Sequence, residues 1–168
     1  MPHRLTVWDP LRRKEVARTP EEEVRQWFIG VLRDGMHVPQ HMMMSEVSLT
    51  FDNGKSWRAD IVVYDRKAAP LLVVECKRPD VTLDQDVVDQ ALRYHRVLDV
   101  RYVVITNGLK TFMFVAEGEG FRFLERAPQW EEMAGPAGHD AEGPKPGHDA
   151  EGPRPGHDAE DRVATETL

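Results

Sequence analysis

Arg58-Ala59-Asp60-Ile61-Val62-Val63-Tyr64-Asp65, the connection Arg66-Lys67-Ala68-Ala69-Pro70, and Leu71-Leu72-Val73-Val74-Glu75-Cys76-Lys77-Arg78 form the stretch that decides the fold. Two short runs rich in Val, Ile, Leu and Tyr, separated by turn-type residues, read as an antiparallel β-hairpin. Asp60 interrupts one apolar run, and Glu75 and Lys77 interrupt the other, where a buried strand least readily carries charge. Side chains alternate along a strand, so Glu75 and Lys77 share a face and Cys76 takes the other. With Arg66–Ala69 as a four-residue loop, Asp65 faces Pro70 and Asp60 faces Glu75. Facing residues have β-carbons roughly 5 Å apart. Two carboxylates then converge with an ammonium beside them, and they repel unless a cation or a proton intervenes. Hard oxygen ligands suit Mg²⁺, with Mn²⁺ as a substitute. The same three residues also allow a plain structural salt bridge on a sheet face.

Upstream, Thr19-Pro20-Glu21-Glu22-Glu23 has the form of a helix start, with a capping Thr, Pro at the first position and acids where the dipole favours them. Val24, Trp27, Phe28, Val31 and Leu32 continue it at helical spacing, and Asp34-Gly35 ends it. Downstream, Asp84–Asp99 changes to helical period, with Val87, Val88, Ala91, Leu92, His95 and Leu98 as the buried stripe. Gln90 and Tyr94 lie together beside that stripe. Glu46–Phe51 alternates as a strand before the turn Asp52-Asn53-Gly54-Lys55. Arg101–Thr106 is a nearly continuous apolar run, as expected of a strand covered on both faces. The third strand, the second helix and this strand form a crossover, so the two strands should be parallel. Thr111–Ala116 and Gly120–Leu124 close the domain as a hairpin.

Asp60 followed after fourteen residues by Glu75-Cys76-Lys77, the helix T-P-E-E-E-V-R-Q-W-F before it and Q-A-L-R-Y after it together resemble the PD-(D/E)XK nucleases. Within them the chain looks most like the amino-terminal nuclease domain of type I restriction enzyme R subunits. Coverage runs from about Pro20 to Gly108, with Ala59 where the superfamily pattern has Pro. The resemblance implies an α/β fold, a restriction-endonuclease-like α-β-β-β-α-β core with a mixed sheet and an added carboxy-terminal hairpin. It implies a Mg²⁺-dependent DNA endonuclease with Asp60, Glu75 and Lys77 catalytic, or a catalytically silent DNA- or protein-binding module on the same fold. Asp60, Glu75, the Cys76 carbonyl and a first-helix Glu would hold the metal. Alignment to the family selects Glu22 for that last role, while helical phase favours Glu21. Gln90 and Tyr94 match the family's Q-x-x-x-Y element and would contact DNA or position Lys77. A separate helicase or specificity subunit is an implied partner, since no G-x-x-x-x-G-K-(S/T) segment occurs in this chain.

Composition sets the remaining bounds. The 168 residues, 40% of them hydrophobic, suffice for one core. A single cysteine excludes an internal disulfide, and neither a secretory signal nor a membrane span is apparent, so the expectation is a cytoplasmic protein. Net charge is −7, but residues 1–126 carry equal numbers of acids and bases, so all the excess lies in 127–168. Charge therefore does not oppose DNA binding by the first part. Arg12, Arg13, Lys14 and Arg18 form its basic cluster, a DNA contact or a solvated run. Pro39 between His37 and His41 breaks the helix that would make them a ligand pair. The chain thus divides into a nuclease-like domain, 1–126, and a disordered acidic tail, 127–168. The tail repeats G-H-D-A-E-G-P-(K/R)-P with His139, His148 and His157 in equivalent places.

Overall fold

A hairpin of two short strands, β1 (Thr6–Asp9) and β2 (Lys14–Ala17), precedes helix α1 (Pro20–Gly30). Thr19 caps that helix, its hydroxyl accepting the Glu22 backbone N–H at 3.1 Å. A π-helical turn, Val31–Gly35, carries it to the expected end at Asp34-Gly35. Six strands follow: β3 (Met43–Thr50), β4 (Ser56–Tyr64), β5 (Pro70–Cys76), β6 (Tyr102–Thr106), β7 (Thr111–Glu117) and β8 (Gly120–Phe123). They lie in sequence order across one sheet, and helix α2 (Gln85–Leu98) carries the chain from β5 to β6. That crossover makes β5 and β6 parallel, as the sequence pattern requires, while every other neighbouring pair is antiparallel. The computed structural model describes residues 5–50 and 53–135, all within one compact unit, Met1–Ala137. No helix among the described residues is long and apolar enough to cross a membrane.

Helices cover both faces of the sheet. On one, Val24 and Phe28 of α1 pack with Ile61, Val63, Leu72, Val74 and Val104. On the other, Val88 and Ala91 of α2 pack with Val103 and Ile105, and Leu98 with Val62 and Val73. Central strands buried on both sides are why β5 and β6 read as continuous apolar runs rather than alternating ones.

The central hairpin reaches its expected register by a different route. Tyr64, not Asp65, lies opposite Pro70, and Asp65 instead closes the turn, its N–H donating to the Ala69 carbonyl at 2.8 Å. Val63 then pairs with Leu72, so Leu71 is an extra residue in a β-bulge. The bulge cancels the shift at the turn and brings Ile61 opposite Val74.

The boundary expected at residue 127 falls too early. Trp130–Ala134 form a third helix, α3, and Trp130 and Met133 are buried in the core beneath α1. Their three-residue spacing puts both on one helix face, which the acidic composition around them disguises. Gln129 and Glu132 cap its first turn reciprocally. The nine-residue repeats begin beyond residue 135 and lie outside the described residues. Removing the chain from residue 136 onward is therefore expected to leave the melting temperature unchanged. Trp130→Ala should cost about 3–5 kcal/mol by urea unfolding, and truncation at 126 should cost at least as much.

Candidate active site

Asp60 sits where the sheet breaks its own alternation. Ile61 and Val63 pack under α1, whereas Ala59 and Trp57, which ordinary alternation would put on that same face, belong to the cluster on the opposite side. On β3 the same change separates Met43 from Val47 and Leu49. The strands pair from Ser45–Ile61 to Val47–Ala59 without a Glu46–Asp60 step, and Glu46 has φ +57°. On the other edge of β4 the ladder stops at Ile61–Val74, one step short of Asp60–Glu75. Asp60 therefore does not face Glu75 as a paired residue. Its carboxylate fills the gap between the parting strands, Oδ2 accepting the Cys76 backbone N–H at 2.7 Å.

Asp60 Oδ1 accepts from Arg25 of α1 at 2.8 Å. The guanidinium of Arg25, itself 4% exposed, also meets Glu46 Oε1 and Glu22 Oε2, each at 2.6 Å. Glu22 is shared further with Arg12 at 2.6 Å and with Gln26 at 2.9 Å. Arg12 pairs in turn with the fully buried Asp9, which ties the β1/β2 hairpin to the start of α1. Half of the basic cluster near the amino terminus is thus used internally, Arg12 in this way and Arg18 on Glu23 at 2.6 Å. Burial opposes the charge on Arg25, but Asp60, Glu22 and Glu46 outweigh it and raise its pKa.

Glu75 and Lys77 lie beyond Asp60 at the end of β5. Lys77 Nζ bonds Glu75 Oε1 at 2.9 Å, and the Lys77 N–H is anchored on the Thr106 carbonyl of β6. Burial pulls the Lys77 ammonium down, but the bond to Glu75 and the charges of Glu75 and Asp60 prevail and raise its pKa. Both side chains line a hollow of about 240 Å³ with Val81, Val87, Gln90 and Ala91. Gln90 thus stands at the rim beside the two charged residues. Tyr94 is on the same helix, but its side chain lies outside the described residues. His95 of α2 is fully buried edge-on against Trp57, and burial drives its pKa down to about 4.

Of the two helix acids, Glu22 is enclosed by its ion pairs, while Glu21 shares the field of Asp60 and Lys77. Burial first and the Asp60 charge second raise the Glu21 pKa. Sequence reasoning did not single out Arg25 or Glu46, and it read His95 only as part of the buried stripe of α2. Arg25 follows Glu21 and Glu22 at helical spacings, the one signal that it would pair with them. Glu46 carried none, because strand alternation hides a residue with positive φ.

Asp60 and Glu75 offer carboxylate oxygens, the hard donors that a divalent cation takes, and the Cys76 carbonyl follows Glu75 directly in sequence. Glu75 Oε2 is buried without a hydrogen-bond partner among the described residues, an orphan such a cation would satisfy. No three acidic, His or Cys side chains among the described residues are already gathered as a cage. Arg25 and Lys77 hold the carboxylates instead.

The fold is that of restriction-endonuclease-like proteins. It resembles a fragment assigned as an HsdR subunit of a type I restriction enzyme from Vibrio vulnificus, with TM-score 0.52 and 22% identity over 69% of this chain. The chain spans 24% of the length of that fragment. A protein from Anabaena variabilis assigned as a nuclease of the DUF820 group also matches, with TM-score 0.44 and 13% identity over 73% of this chain and 78% of that one. No curated protein matches. The family described as type I restriction enzyme R protein N terminus matches residues 20–128, and the chain belongs to that family.

Replacing Arg25 by Met would leave Glu22, Glu46 and Asp60 without the cation they share. A loss of about 3–5 kcal/mol is expected by urea unfolding of the metal-free protein. A loss below about 1 kcal/mol would mean that these carboxylates relax into solvent.

Proposed function

We propose that the chain is a Mg²⁺-dependent DNA endonuclease of the kind carried at the amino terminus of type I restriction R subunits, acting in the cytoplasm. What supports this reading is that β4 and β5 part at Asp60 and E-C-K, where Asp60 accepts the Cys76 N–H at 2.7 Å and Lys77 bonds Glu75 at 2.9 Å, so that each carboxylate is held by a cation. Asp60, Glu75 and the Cys76 carbonyl would hold the metal, with Glu21 or Glu22 completing the shell. Such an ion, when bound, polarises the scissile phosphate and lowers the pKa of a bound water. Lys77 remains protonated at neutral pH, so it orients the attacking water and offsets charge on the phosphate rather than removing a proton. Gln90 and Tyr94, one helical turn apart, would contact the DNA backbone or steady Lys77. A separate helicase or specificity subunit, the partners that the family implies, would supply translocation and sequence choice.

A second reading keeps the fold as a catalytically silent DNA- or protein-binding module. What favours it is Arg25, which already occupies Asp60 Oδ1. Cleavage assays on supercoiled, linear and branched DNA separate the two. Nicking with Mg²⁺ or Mn²⁺, and DNA binding without turnover in Ca²⁺, are expected of the enzyme. Lys77→Ala should lower the rate by about 10²–10³, and Glu75→Ala should abolish it. DNA retention without cleavage under any of these metals would leave the binding module.

A further inference from the structure

His95 enters from α2 on the side of the sheet that Glu75 faces, and the two meet with Nε2 and Oε2 3.9 Å apart. Among the described residues, Glu75 Oε2 and both ring nitrogens of His95 are buried without a hydrogen-bond partner. Orphaned polar atoms are rare in a protein interior, and two that confront one another have an evident resolution. A neutral imidazole carries one N–H, and if it sits on Nε2 a closure of about 1 Å makes it a hydrogen bond to Oε2. One intervening water achieves the same. The ring plane is already set, since Trp57 packs edge-on against it at 4.9 Å between centroids.

We propose that His95, through its Nε2–H, is a positioning residue that fixes the plane of the Glu75 carboxylate. The proposal rests on the reading of Glu75 as a metal-holding residue. Lys77 already holds Oε1 at 2.9 Å, so a donor on Oε2 would leave the carboxylate no freedom to rotate. Each oxygen keeps a second lone pair, so a carboxylate held at both ends remains able to bind a cation. Groups that orient a metal ligand from behind typically change metal affinity by 10–100-fold when removed. His95 lies outside the E-C-K and Q-x-x-x-Y patterns and is read from sequence only as core packing.

Three measurements on the full chain test this. Nitrogen-15 spectra of the metal-free imidazole should show Nε2 protonated, with a resonance that moves in Glu75→Gln. A ring protonated on Nδ1, or one indifferent to Glu75→Gln, overturns the contact. In Mn²⁺ titrations followed by electron paramagnetic resonance, H95L should bind about 10–100-fold more weakly. Its melting curve checks that it remains folded, with a modest loss of stability expected where Glu75 Oε2 gives up its donor. H95Q, which returns an N–H near the same place, should recover most of that affinity, and kcat should follow affinity while KM for DNA stays constant. Unchanged Mn²⁺ affinity in H95L, or H95Q as weak as H95L, overturns the positioning role. A parent protein that takes up no Mn²⁺ refutes the nuclease reading, whereas the nitrogen spectra judge the contact independently of it.

Discussion

One buried guanidinium holds the site together. Arg25 reaches from α1 to Glu46 on β3 and Asp60 on β4 while retaining Glu22 on its own helix. A planar fork with several fixed donors can serve three carboxylates from different elements, which a single ammonium on a flexible stem does poorly. In surroundings this dry, each of those acids would be costly without it, and the guanidinium would be costly without them. The contact also accounts for a local irregularity. Glu46 occupies positive φ, a strained setting for such a residue, at the point where β3 and β4 exchange faces. Regular alternation would not bring both Glu46 and Asp60 to the α1 side. The ion pairs therefore select a bent strand pair over a flat one.

That arrangement makes the two central carboxylates physically unlike. Asp60 is embedded in bonds from Arg25 and the Cys76 N–H, so deleting it strands a buried cation and a backbone donor. Glu75 has one solvated cationic partner and one orphaned oxygen, so deleting it relieves as much as it removes. Sequence pattern alone treats the pair as symmetric, two like charges whose removal eases repulsion. The asymmetry enters through Arg25, whose partners Glu46 and Asp60 lie far from it in sequence.

The two apolar runs, the capped first helix, the change to helical period after Pro79 and the parallel crossover were all legible, because each is a local pattern with one favourable burial. The register at Ile61–Val74 was legible too, since the buried faces of both strands demand it. What the local pattern could not show is how the count is reconciled. The turn closes between Asp65 and Ala69, and Leu71 bulges to restore the phase. The β1/β2 hairpin was missed for a related reason: each strand has four residues, and its main anchor is the buried Asp9, which reads as a surface acid. Helix α3 was hidden by composition, with Trp130 and Met133 set among acids and followed by Pro- and Gly-rich repeats. Among the site residues, the D…E-C-K spacing exposed the two carboxylates and Lys77 but not Arg25, the cation that holds Asp60.

The parting of β4 from β5 is what brings the Asp60 carboxylate onto the backbone of E-C-K. On its β6 edge, β5 stays paired to its end, and the next residue still bonds across as Lys77 N–H to the Thr106 carbonyl. On its β4 edge the ladder has already stopped, and Cys76 gives its N–H to a side chain in place of a strand carbonyl. The N–H and C=O of a strand residue leave the chain on the same edge, so the Cys76 carbonyl is directed to that opening as well. Glu75-Cys76-Lys77 is thus rigid on one side and open on the other. An uninterrupted ladder would have used the Cys76 backbone for pairing and shut the gap that Asp60 fills. Glu75 and Lys77 lie at the end of β5 where the β4 neighbour has been given up, so the apolar run ends in E-C-K while the β6 edge stays paired.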